Sequence, residues 1–140
     1  MSNHTPINPD ALPKSPAFSQ GVLVHPNASL LFVGGQNGID AGGRVVSVDA
    51  HAQTTQALHN VAAVIAAAGG TIDDIVRWTI TVTDRASLGP GFAAFRAWWG
   101  MRASAPAVTV QIVAGLARPD CLVEIDAIAA IGARRSDGEP

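Results

Sequence analysis

The chain has 140 residues, 48% of them apolar and only 14% charged, with a formal net charge of −2. That length suits one domain with a real core, and without a basic run the sequence gives no support for nucleic-acid binding. The single cysteine, Cys121, excludes an internal disulfide and fits a reducing cytosol. The N-terminus shows no signal pattern, and no segment nears the roughly 18 apolar residues of a membrane span, so a cytoplasmic protein without a membrane partner is expected.

The charged share lies well below the usual value of about 25%. So few charges cover a monomer's surface poorly, which predicts an apolar patch buried in an oligomer.

Residues 1–15 are rich in Pro, Asn and Ser and read as an extended, poorly structured lead-in. Residues 16–132 read as one domain, and 133–140 as a polar, flexible tail. A strand is expected over residues 18–25, then a Pro26-Asn27 turn. Residues 29–36 are apolar on both faces, as in a central strand. Asp40-Ala-Gly-Gly43 makes a turn before a short strand over Arg44–Ser47.

Asp49 can cap a helix over residues 50–68, with Leu58, Val61, Ala62, Ile65 and Ala68 at helical spacing. Gln53, Gln56, His59 and Asn60 fall mostly on its polar side, and Gly69-Gly70 ends it. Over residues 75–83, Val76, Trp78, Ile80 and Val82 alternate with Arg77, Thr79, Thr81 and Thr83, a strand with one apolar and one polar face. A second helix is expected from about Ser87 or Pro90 to Met101, with Phe92, Phe95 and Trp99 on one stripe. Two β-branched runs follow, joined by the Pro119-Asp120 turn. Helices are too few to cover both faces of a sheet, so the fold class is α+β with helices on one face. The other face needs different cover, and a polar sheet face enclosed between subunits can hold a small molecule.

The last run carries Glu124 and Asp126 in apolar sequence. A carboxylate there must be paired, hydrogen-bonded or working. Glu124 is therefore the candidate general acid/base, against a structural alternative in which it bonds backbone groups or an arginine across an interface. Asp126 shares its strand face by alternation and reads as a satisfied polar group. Cys121 reads as a small buried residue. His51 and His59 are eight apart, not at the i, i+4 spacing of a metal pair, and no metal is predicted. Gly34-Gly35 reads either as a bulge or as a place where a ligand approaches the backbone.

Taken in order, Pro16-Ala-Phe-Ser-Gln-Gly21, Leu31-Phe-Val-Gly-Gly-Gln36, the Gln53–Gly69 helix, Asp73-Asp-Ile-Val76, Val82-Thr-Asp84, residues 92–95, Gly115-Leu-Ala-Arg-Pro-Asp120 and residues 123–129 resemble the Rid proteins (reactive intermediate deaminases, or YjgF family). The resemblance covers about residues 12–130. It implies a chorismate-mutase-like α+β fold, a homotrimer with an inner barrel, and three clefts between subunits. It also implies cofactor-independent hydrolysis of reactive imines and enamines to 2-keto acids and ammonia.

Position by position, Glu124 matches the carboxylate that positions or activates water. Val108 falls where deaminase members carry the arginine that clamps the substrate carboxylate, Phe18 where many carry tyrosine, and Gly34 where some carry serine. The resemblance thus implies an altered pocket around Phe18, Gly34, Gly35 and Val108 that favours a neutral or bulkier imine. Arg77, Arg102 and Arg118 are candidates to replace the missing arginine across an interface. Two alternatives stand beside this reading: a non-catalytic trimer that binds a metabolite or protein, and the ribonuclease activity attached to some relatives by name, which the charge disfavours.

Overall fold

A computed structural model describes residues 3–132, so the expected tail at 133–140 lies outside the described residues. The chain runs β1 (His4–Ile7), β2 (Gly21–Val24), β3 (Ser29–Asn37), α1 (Ala50–Ala67), β4 (Ile75–Val82), α2 (Leu88–Trp99), β5 (Ala107–Ile112) and β6 (Val123–Ile131). Single 3-10 turns at Ile72–Asp74 and Arg85–Ser87 lead into β4 and α2.

Sequence explains the helix ends. Asp49 accepts a hydrogen bond from the Ala52 amide and opens α1, satisfying one of its orphan donors. Gly69, with φ of 83°, turns the chain away after it. Asp84 accepts from both the amide and the hydroxyl of Ser87, each at 2.8 Å, and starts the approach to α2. Gly100, with φ of 67°, closes that helix.

Four strands form a mixed sheet in the order β3-β6-β4-β5; β4 and β5 run parallel and the other pairs antiparallel. Both helices cover one face. There Leu58, Val61 and Ile65 of α1 and Phe95 and Trp99 of α2 close over Trp78, Val123, Ile125 and Ala127. Trp78 is fully buried and meets Phe95 edge-on at 5.9 Å, the preferred geometry for aromatic pairs. The two-helix α+β architecture matches the sequence reading, as does the alternation along β4.

Four expectations need correction. The lead-in is not structureless, because β1 pairs antiparallel with β2, His4 opposite Val24. β3 is an edge strand rather than a central one: its apolar outward residues Leu30 and Phe32 are 51% and 69% exposed, so their hydrophobicity reflects a face this chain leaves uncovered. Arg44–Ser47 forms no strand; a single bridge joins Ile39 to Val45. Gln53 is not on a polar surface but fully buried. Its amide donates to the Ser47 and Asp120 carbonyls and its carbonyl accepts from the Leu122 amide, at 2.8, 3.0 and 2.8 Å. Buried backbone groups require partners, and one glutamine supplies three.

Candidate functional site

The sheet face away from the helices carries the carboxylates. On β6, Val123, Ile125 and Ala127 point to the core, while Glu124, Asp126 and Ile128 alternate to the open side and are half-buried. Glu124 lies opposite Thr81 of β4 and Asn37 of β3; Asp126 lies opposite Thr79. The neighbouring polar groups pair among themselves: Gln111 donates to the Thr81 hydroxyl at 2.9 Å and Arg77 to the Thr109 hydroxyl at 3.1 Å. The Glu124 and Asp126 carboxylates have no hydrogen-bond partner among the described residues. For Asp126 this departs from the satisfied group expected.

Gly34-Gly35 is a bulge, with the β3–β6 register slipping between Val33 and Gln36. Its purpose is visible at Gly35. A Cβ there would sit 2.6 Å from Cδ of Glu124 and 2.9 Å from its Oε2. The bare backbone of Gly35 is therefore what lets the carboxylate lie against the bulge. At Gly34 an added Cβ would meet nothing within 4 Å, so that position has open space beside it. Asn60 of α1 holds the strand end in place by donating to the carbonyls of Asn37 and Ile39, at 3.2 and 2.8 Å.

Phe18 and Val108 lie elsewhere. Val108 pairs with Trp78 and, like it, faces the helix side of the sheet. With Phe18, Phe92, Phe95, Trp99 and Val110 it lines an apolar cleft of about 780 Å³ between β5 and α2. That is the size of a small-molecule site. Within one chain the structure thus brings Phe18 together with Val108, and Glu124 together with Gly35, but holds the two pairs on opposite faces of the sheet. Nor do the two final strands adjoin, because β4 lies between them.

The arginines considered as replacements are engaged. Arg102 pairs with Asp73 at 2.6 Å and lies over the Trp99 ring, Arg118 bonds the Gly43 carbonyl, and Arg77 is held by Thr109. The cation that does line the cleft is Arg96, which the sequence reading passed over. The signal was available: Arg96 falls at i+4 from Phe92 and i−3 from Trp99, on the same helical stripe. Its guanidinium has no partner among the described residues.

Cys121 is buried, as expected, and burial with the nearby Asp120 carboxylate pushes its thiol pKa up; it is a poor nucleophile. Among the described residues no three His, Cys, Asp or Glu side chains converge as a metal site. No helix there is long and apolar enough to cross a membrane.

These features define a class: a small α+β protein with two helices on one sheet face, an apolar cleft beside the second helix and, on the open face, carboxylates without a partner among the described residues. The family profile described as Endoribonuclease L-PSP matches residues 9–131. A 2-iminobutanoate/2-iminopropanoate deaminase of Salmonella typhimurium is 35% identical over 113 residues, 80% of this chain and 85% of that protein. A RutC family protein of Pyrococcus horikoshii is 33% identical with the same 80% and 85% coverage. The crystal structure of YyfB, a Rid-family protein of unknown function from Yersinia pestis, superposes with a TM-score of 0.81 at 32% identity, covering 92% of this chain and 99% of that one. The chain belongs to the Rid (YjgF, L-PSP) family.

Proposed function

We propose that this protein is a cofactor-independent imine or enamine deaminase whose site is assembled between subunits of a homotrimer. The observation that carries the reading is the Glu124 carboxylate, seated on the Gly35 bulge and without a partner among the described residues. Such a group is available to a water molecule. Glu124 takes a proton as the water oxygen bonds to the imine carbon. It gives that proton to nitrogen to complete the carbinolamine, then carries the hydroxyl proton to nitrogen as the carbon–nitrogen bond breaks, leaving a carbonyl compound and ammonia.

The Salmonella relative's name supports this chemistry class. The opposite placement of Glu124 and the Phe18–Val108 cleft favours a composite site, because one chain cannot bring them together. Trimerisation around an inner barrel covers the open sheet face, including Leu30 and Phe32, and accounts for the low charge. With Phe18, Gly34 and Val108 offering no side-chain polar contact, the pocket favours a neutral or bulkier substrate over a small 2-imino acid. Net charge of −2 weighs against a ribonuclease role. A single buried cysteine fits a cytoplasmic setting.

The test is ammonia release from a panel of imines generated in situ, small and bulky, with and without a carboxylate. Glu124→Gln is expected to lower the rate by about 10²–10⁴-fold. If Glu124→Gln leaves every measured rate unchanged, the carboxylate is structural and the non-catalytic binding reading takes over.

A further inference from the structure

Val108 keeps the floor of the cleft apolar, but the cleft is not without a cation. Arg96 lines it from α2, one turn from Phe92 on one side and Trp99 on the other. It is exposed, whereas Phe95 and Trp99 beside it are buried and stacked at 5.8 Å. Two other arginines are already bonded: Arg102 to Asp73 and Arg77 to Thr109. An unpaired guanidinium above an aromatic-walled cleft is complementary to a molecule with an apolar body and an anionic end.

We propose that Arg96 is the substrate-anion contact of this protein, and that of the neutral and the bulkier substrates allowed above the cleft takes the bulkier kind, an apolar body carrying a carboxylate. The proposal rests on the reading that the Phe18–Val108 cleft takes the substrate. In this arrangement the apolar body fills the space beside Phe18, Phe92 and Val110, and the carboxylate meets Arg96. Val108 keeps the floor apolar. A short 2-imino acid lacks the body that fills this volume. The bland alternative is that Arg96 merely sits in the last turn of α2, where a cation is favoured by the helix dipole.

The experiment is calorimetric binding of two probes, phenylpyruvate and phenylacetone, which share an aromatic ketone body and differ in the carboxylate. Binding is read with Glu124→Gln as background, so no turnover is required. The expected result is tighter binding of phenylpyruvate, weakened about tenfold by Arg96→Gln and by added salt, partly restored by Arg96→Lys, with phenylacetone changed less than about twofold. Equal affinity of phenylpyruvate for the wild type and Arg96→Gln would overturn the proposal. So would an equal loss for both probes, or no binding of phenylpyruvate to the wild type. A panel of imines left unhydrolysed while phenylpyruvate binding depends on Arg96 refutes the deaminase reading and leaves the anion contact standing. Hydrolysis that depends on Glu124 but is indifferent to Arg96 does the reverse.

Discussion

Gly35→Ala isolates the placement of one carboxylate. The added methyl would lie 2.6 Å from Cδ of Glu124, with Cγ and Oε2 both at 2.9 Å. Ordinary carbon–carbon contact is about 3.5–4.0 Å, so the carboxylate must retreat by roughly 1 Å. Glu124 is half-buried and its side chain ends on the open face, so it can move without disturbing the core. The expected cost to stability is therefore small, under about 1 kcal/mol. The cost to chemistry is larger, because a displacement of about 1 Å in a reacting group can lower a rate by about 10². The assay pairs urea unfolding with kcat/KM for the best imine substrate. A large loss of kcat/KM with an intact unfolding midpoint is predicted. Full activity in Gly35→Ala, alongside an inactive Glu124→Gln, would falsify the argument that the bulge positions the carboxylate.

Gln53→Leu keeps most of the side-chain volume but strips partners from the Ser47 and Asp120 carbonyls and the Leu122 amide. A loss of about 2–5 kcal/mol is expected in urea unfolding, and a loss below about 1 kcal/mol would show that water replaces those bonds. Gly38→Ala sets a Cβ 2.5 Å from Cα of Gln53, against helix backbone that cannot swing aside; about 1–3 kcal/mol of destabilisation is predicted by the same measurement. Cys121 has its pKa raised in the fold by burial. The unfolded chain then loses this proton first as pH rises past the ordinary thiol value, so this residue's contribution falls with alkalinity. Unfolding between about pH 7 and 10 should show a shallower decline in Cys121→Ala than in the wild type, and parallel curves would refute the burial argument.

The parts of the fold legible in sequence were those set by local chemistry. Asp49 and Gly69 bracket α1 because caps act over a few residues. The two faces of β4 could be read because alternation is a property of one strand. Gly34-Gly35 was open to a bulge reading because two glycines in a strand weaken its register. What depended on pairing was not legible. Leu30 and Phe32 suggested a central strand, yet β3 lies at the edge of the sheet and this chain leaves their face uncovered. Within one chain β4 lies between the strands of Glu124 and Val108: Glu124 pairs with Thr81 and Val108 with Trp78. Thr81 and Trp78 are three apart, an odd spacing, so the two residues face opposite ways. Gln53 was hidden because its partners are backbone groups of distant segments. Arg96 stays hidden in sequence because its charge drops it from the apolar periodicity of Phe92, Phe95 and Trp99, although it lies on their stripe.

The composite site is tested most directly by mixing defective subunits. Glu124→Gln removes the carboxylate, and Val108→Trp fills the cleft on the other face. Each homo-oligomer should be inactive. After co-refolding at equal amounts, random assembly gives about a quarter of the sites an intact cleft from one subunit and an intact Glu124 from its neighbour. Recovery of about a quarter of wild-type imine hydrolysis is predicted. Mixed oligomers that form but recover no activity would contradict a site shared between chains.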